Sequence, residues 1–212
     1  MVDSRPGIGE ALNATLVDAG FAPVAGAALD AVIGPPLREG FETILAAQRG
    51  DVARVPELIA GYRARYATTS LTGTVLQPGI AEALGCLAEV ATLAIASSKP
   101  LRFTGPLAER LGLASLFAAV VAPTPELDGE PKTQTLARAI AVIEEGGGSF
   151  AHRAMIGDRR HDMRAARELG CRALGALWGY GSANELCEAG AEALVATPAD
   201  LPAVVGARTS RA

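Results

Sequence analysis

Apolar residues recur every three to four positions through the first third of the chain, then change after Gly73 to short unbroken runs. Ile8, Leu12, Leu16 and Ala19 share one helical face. They predict a helix over 6–19, opened by Asp3, Ser4 and an early proline and ended by Gly20. Further helices are predicted over 24–32, stopped by Gly34-Pro35-Pro36, over 37–48, and over 51–68. The last has Val55, Leu58, Ile59, Tyr62 and Tyr66 on its apolar side and Arg54, Arg63 and Arg65 on an exposed face. Four helices with short links and no strand predict a small bundle. Beyond Gly73, apolar runs over 92–96, 118–122, 154–156, 173–177 and 193–196 alternate with helical stretches over 79–87, 101–111, 133–143, 162–169, 183–189 and 198–205. Buried strands alternating with helices predict an α/β fold, a Rossmann-like parallel sheet with helices on both faces.

Half of the 212 residues are hydrophobic, 20% are charged and the formal net charge is −4. That balance excludes disorder and coiled coils, and no basic run offers a footprint for nucleic acid. No uninterrupted apolar stretch is long enough to predict a membrane span, and Asp3, Arg5 and Glu10 interrupt any leader-like start. Cys86, Cys171 and Cys187 form no CxxC pair and are expected to be buried thiols in a reducing cytoplasm. Roughly a fifth of the chain is alanine, and of 19 basic residues only Lys99 and Lys132 are lysines. Against so strong a bias toward arginine, a remaining lysine is expected to be needed as a compact point charge.

Sites in parallel sheets form where strands end at their carboxyl edge. Ser97-Ser98-Lys99 follows one predicted strand, Lys132 opens the helix after the next, and Gly157-Asp158-Arg159-Arg160-His161-Asp162 follows a third. A hydroxyl and backbone amides at such ends donate to phosphate oxygens, and a lysine neutralises them. Asp158 and Asp162, four apart across a turn, can aim two hard oxygen ligands at one Mg²⁺, although an Asp at a helix start also serves as a cap. His152 reads as a surface residue before a strand, and His161, between the two acids, reads either as a substrate contact or as an exposed residue in a turn. Trp178 and Tyr180 read as core packing for a loop near the site. Arg38 and Phe41 read either as substrate-facing residues or as a solvated Arg and a core Phe.

On these residues the chain resembles the haloacid dehalogenase superfamily of phosphohydrolases, close to its phosphoglycolate-phosphatase-like branch. The matching stretches are VDSRPGI (2–8), IGPPL (33–37), LAIASSKP (93–100), LDGEPKT (127–133), MIGDRRHDM (155–163) and LWGYGS (177–182). The resemblance implies a helical cap over 6–72 inserted into a core of 1–5 and 73–212. It also implies Mg²⁺-dependent hydrolysis of a small-metabolite phosphate monoester, phosphoglycolate-like or nucleotide-like, through a phosphoaspartyl intermediate. Ser97 and Lys132 take the catalytic positions, with Ser98 and Arg38 beside them as phosphate- or substrate-binding residues and Asp158 and Asp162 as the metal pair. The family's opening Asp-x-Asp-Gly-Thr, which carries the nucleophile, has no counterpart, and Asp3 matches a later Asp. A start codon assigned too far downstream is the expected cause, and a non-catalytic phosphate- or metabolite-binding relative is the alternative. The strand carrying that motif is expected between those at 92–96 and 154–156. Residues 1–72 contain no lysine for the phosphonate cleavers' cap, and a dehalogenase needs no acidic metal pair. A mutase remains open.

Overall fold

A computed structural model of the chain describes residues 1–30, 32–33, 37–124, 130–148, 150 and 152–206. The expected helix stop at Gly34-Pro35-Pro36 and the Leu127-Asp128-Gly129 part of LDGEPKT lie outside the described residues. The chain divides into two compact units, Val2–Val75, and Met1 with Leu76–Ala212.

The first unit contains helices α1 (Arg5–Asp18), α2 (Gly26–Asp30), α3 (Leu37–Ala47) and α4 (Val55–Thr72). Prolines occupy the first turns of α1 and α4, where the missing N–H leaves no helical bond unmade. Asp3, rather than Ser4, steadies the start of α1, its carboxylate accepting the Arg5 N–H at 2.9 Å. Leu12, Leu16, Phe41, Leu45, Leu58 and Tyr62 form the core, all within 6% of full burial. Arg54 is engaged rather than merely solvated: it donates to the Ala19 carbonyl at 2.9 Å and lies over the Phe21 ring. α1 and the end of α4 are drawn together at Gly7 and Gly73, where the Gly7 N–H meets the Gly73 carbonyl at 2.9 Å. Any side chain at either glycine would strike the other segment's backbone.

A short ribbon pairs β1 (Val2–Asp3) with β2 (Val75–Leu76). The second unit then runs α5 (Ile80–Ala88), β3 (Leu93–Ala96), α6 (Leu101–Arg110), β4 (Phe117–Val121), α7 (Lys132–Glu145), β5 (Ala154–Gly157), α8 (Arg160–Glu168), β6 (Arg172–Ala176), α9 (Ala183–Glu188), β7 (Ala193–Val195) and α10 (Leu201–Gly206). All its strand pairs are parallel, as alternation with helices requires. They form two sheets, β3–β4 and β5–β6–β7, and among the described residues no ladder joins β3 to β5. These are the two strands expected to flank the family's first strand. Side chains nonetheless join the sheets. Ala96 of β3 and Met155 of β5 pack into one cluster around Met163 and Ala166, while Leu93 and Ile156 pack into another around Leu174 and Leu87. The fold is therefore α/β, with parallel strands, helices on both faces and a helical unit inserted near the start. Among the described residues no helix is long and apolar enough to cross a membrane.

Of the three thiols expected to be buried, only Cys171 is; Cys86 and Cys187 are exposed. On α5 the inward face is taken by Ile80, Ala83, Leu84 and Leu87, which turns Cys86 outward; on α9 Leu186 points in beside an outward Cys187.

Candidate active site

The carboxyl ends of β3 and β5 carry the polar residues singled out in the sequence. Strand pairing continues one residue past β3, where the Ser97 N–H donates to the Val121 carbonyl at 2.9 Å. The Ser97 Oγ accepts the Lys99 N–H at 3.0 Å, closing a tight turn that keeps Ser97 half-buried and Ser98 exposed. Thr104 on α6 fastens the far side of this turn by donating to the Lys99 carbonyl at 2.8 Å. Burial lowers the Lys99 amine to about 8.

Lys132 is the first residue of α7. Its Nζ donates to the Ala96 carbonyl at 2.7 Å and meets Asp162 Oδ1 at 2.9 Å, with both side chains 11% exposed. One ammonium thus ties the end of β3, at the residue before Ser97, to the first turn of α8. The other Asp162 oxygen accepts the Arg159 N–H at 3.2 Å. Asp162 thus caps the start of α8 with one oxygen and meets Lys132 with the other. Gly157 makes this possible, because a methyl there would collide with the Asp162 side chain.

Asp158 follows β5, and its Oδ2 accepts the Tyr180 N–H at 2.8 Å. The loop after β6 comes this close because Gly179 and Gly181 are bare; a Cβ at either would run into Asp158. Trp178 packs into the apolar clusters as expected. Tyr180 is 45% exposed, and its backbone N–H reaches the site. The α8 start is fixed further by Glu185, which accepts the Arg159 Nε at 3.0 Å and the Arg160 N–H at 2.9 Å. Burial pushes the Glu185 carboxyl upward, and the bonds from Arg160 and Arg159 outweigh it, so the net direction is down. The Met1 amine is lowered by burial, against the opposing pull of Asp158 and Asp162.

Behind Lys132 lies a second arrangement that sequence reasoning missed. Glu130, with a side chain 3% exposed, accepts Arg138 Nε at 2.8 Å, Arg138 Nη2 at 2.9 Å and Thr135 Oγ1 at 2.7 Å. Arg138 also donates to the Ala122 carbonyl just past β4, at 3.0 Å. The bidentate pair locks the turn that delivers Lys132 to its position, and the Arg138 guanidinium holds the Glu130 carboxyl below its usual range. The Glu-Pro-Lys sequence at a helix start, with Arg138 two turns on, is the signal that could have found it.

Arg38 lies on α3 of the other unit, exposed and 3.6 Å from Glu42, while Phe41 is a core residue of that unit. His152 and His161 are exposed.

Among the described residues no group of three His, Cys, Asp or Glu side chains gathers as a closed metal cage. Mg²⁺ does not require one, since it binds through one or two carboxylates and keeps water and phosphate oxygens as its other ligands. Asp158, with Oδ1 uncommitted among the described residues, and Asp162 fit that demand.

A family model described as haloacid dehalogenase-like hydrolase matches residues 1–176. A 5'-nucleotidase from Pseudomonas aeruginosa is 32% identical over 187 residues, covering 88% of this chain and 82% of that protein. A phosphoglycolate phosphatase from Chromobacterium violaceum is 29% identical over 205 residues, covering 95% and 90%. The solved structure of a haloacid dehalogenase-like family hydrolase from Streptococcus pneumoniae superposes with a TM-score of 0.82 at 25% identity, covering 97% of this chain and 93% of that one. With the motifs in family order and the polar strand ends held together by Lys132, the chain belongs to the haloacid dehalogenase-like hydrolases, in their phosphoglycolate-phosphatase-like branch.

Proposed function

We propose that this site binds the phosphoryl group of a small-metabolite phosphate monoester beside Mg²⁺ and serves its hydrolysis. The observation that carries the reading is the seating of Lys132 between the Ala96 carbonyl and Asp162. An ammonium has three hydrogens; two are engaged here, and the third is left for a phosphoryl oxygen. Ser97 accepts a bond at Oγ and keeps its own hydrogen to donate to a second oxygen, with the exposed Ser98 beside it. Asp158 and Asp162 would hold Mg²⁺, which when bound neutralises the charge on the phosphoryl oxygens. The helical unit is read as the family's cap, whose side chains, Arg38 among them, choose the substrate. A cytoplasmic setting suits such a metabolite ester.

In the family reaction the first carboxylate of Asp-x-Asp-Gly-Thr attacks phosphorus to give a phosphoaspartyl intermediate. Residues 1–212 contain no such motif. The residues of this chain therefore supply binding and charge stabilisation, and the same observation favours a second reading, phosphate or metabolite binding without turnover. The test assays phosphoglycolate and nucleoside monophosphates with Mg²⁺. It uses the 212-residue chain and a form carrying an apolar strand ending in Asp-x-Asp-Gly-Thr ahead of Met1. Turnover on the order of 1 per second or faster in the extended form, lost in Asp158→Asn and Lys132→Met, is the expected result, with little or none in the 212-residue chain. Turnover in neither form favours the binding reading, and Asp158-dependent turnover of ordinary rate in the 212-residue chain shows that another residue attacks.

A further inference from the structure

Helices α8 and α9 leave an open polar groove of about 290 Å³ between them. That is near the lower end of the roughly 300–1,000 Å³ usual for ligand clefts, so a ligand here is small. Arg160 and Arg164 of α8, Asn184, Glu185 and Glu188 of α9, and Ser182 just before α9 border it. The charges are sorted by wall. Residues four apart on a helix share a face. One wall therefore carries two guanidiniums one turn apart, and the other carries the Asn184 amide and the Glu188 carboxylate one turn apart. Among the described residues the side chains of Arg160, Arg164, Asn184 and Glu188 make no hydrogen bond or ion pair. Opposite charges thus border one space without meeting. Like charges four apart on a helix are unfavourable, and no carboxylate among the described residues pairs with either arginine.

The walls are fixed by bonds that leave these side chains uncommitted. Glu185 Oε1 accepts the Arg159 Nε at 3.0 Å and the Arg160 N–H at 2.9 Å, which ties α9 to the start of α8. The tie to Arg160 is made by its main chain, so its guanidinium is not spent on it. Ser182 Oγ accepts the Glu185 N–H at 3.1 Å and keeps its own hydrogen to donate. A simple anion suits this space poorly, because Glu185 and Glu188 border it, and a simple cation is opposed by the two arginines. A ligand carrying both charges meets each wall with the opposite sign. Guanidinium forks match a carboxylate in two bonds.

We infer that this groove is a binding site for a small zwitterion of the amino-acid type, its carboxylate held by Arg160 and Arg164 and its ammonium by Glu188. The inference does not rest on the phosphate-ester reading, because the ligand carries no phosphate and the groove uses none of Ser97, Lys132, Asp158 and Asp162.

Glycine, β-alanine and γ-aminobutyrate, which set the two charges progressively further apart, are the probes, with acetate and methylammonium as single-charge controls. Each is titrated into the full chain and followed by calorimetry and by the amide NMR signals of residues 160–164 and 182–189. Saturable one-to-one binding of at least one zwitterion is expected, at least about fivefold tighter than either control. Arg160→Gln, Arg164→Gln and Glu188→Gln should each weaken that zwitterion about fivefold, the scale of one exposed charge contact. Glu188→Gln should leave acetate unchanged or tighter. All three positions are exposed, so the thermal midpoints should stay at that of the parent. Failure of the folded protein to bind any of the three zwitterions overturns the site. So does binding that survives both arginine substitutions or that shifts signals elsewhere. Acetate bound as tightly as the zwitterion, or weakened equally by Glu188→Gln, overturns the pairing of an ammonium with Glu188.

Discussion

The two units build their cores from different mixtures of side chains. The helical unit closes on large side chains, Leu16, Phe41, Leu45, Leu58 and Tyr62, set against one another. The α/β unit mixes large side chains, Leu87, Leu174 and Leu186, with small ones, Ala165, Ala166 and Ala173 around Met163, all of them buried. Small residues let backbones approach, and the glycines at 157, 179 and 181 bring them closer than any side chain permits. Large side chains on helices meet at their tips and leave irregular space between. Carboxylates and an ammonium that must stand at fixed points belong where main-chain geometry sets them.

The sharpest way to break this comparison is at the buried ion pair. Lys132→Met leaves Asp162 charged and enclosed, and should lower unfolding free energy by about 3 kcal/mol. Arg38→Met, which removes an exposed pair in the helical unit, should stay within about 0.5 kcal/mol. Urea denaturation midpoints measure both. Similar effects at the two sites would mean that the Lys132 pair is solvated in solution.

Next in size are the glycines. Gly179→Ala must push against Asp158 and should be destabilised by about 2 kcal/mol. Gly40→Ala meets the yielding Val32 side chain, gains helix propensity, and should change stability by less than about 1 kcal/mol. Thermal midpoints of the two variants compare a core set by backbone with one set by side chains.

Glu130→Gln removes a charged acceptor from Arg138 and Thr135 and should lower stability by about 1–2 kcal/mol. If the pair positions Lys132, phosphate affinity falls as well, whereas a merely structural role would leave it unchanged.

The smallest effect expected is one of pH. Lys99 has a folded-state pKa of about 8, below the unfolded value of 10.5. Between those values the unfolded chain holds more protons, so this contribution to stability rises with pH across that window. A Lys99→Met variant lacks it. The advantage of Lys99→Met in midpoint should therefore be greatest below pH 8 and shrink as pH rises toward 10.5. A constant difference over the range would place the amine in water.

Most of the fold was legible in the sequence because its elements are short and sharply bounded. LAIA before Ser-Ser-Lys-Pro and AMIG before Asp158 are apolar runs that end in groups a strand interior cannot keep, and both are strands. Ser97, Lys132, Asp158 and Asp162 were legible because each stands at a strand end or a helix start. Their partners were harder to see. Glu130 with Arg138 is a pairing across a helix turn, and Asp158 with the Tyr180 N–H spans 22 residues, so only the folded chain sets them together. Hydropathy also misplaced side chains that depend on which face a helix turns inward, as with Cys86, and on how a loop leaves a strand, as with Tyr180. Among the described residues the sheet divides between β3 and β5. A strand added ahead of Met1 should raise the denaturation midpoint, and an unchanged midpoint and slope would mean that such a strand has no place in this fold.

The central claim is that Lys132 and the two aspartates form one phosphate-handling site. Calorimetric titration of inorganic phosphate into the 212-residue chain, with and without Mg²⁺, tests it most directly, because binding needs no nucleophile. The account predicts one-to-one binding that strengthens when Mg²⁺ is present. It should weaken at least tenfold, or about 1.4 kcal/mol, in Lys132→Met and lose its Mg²⁺ dependence in Asp158→Asn, with Tyr62→Phe unchanged. Phosphate binding that is indifferent to Mg²⁺ and equally strong in Lys132→Met would contradict it.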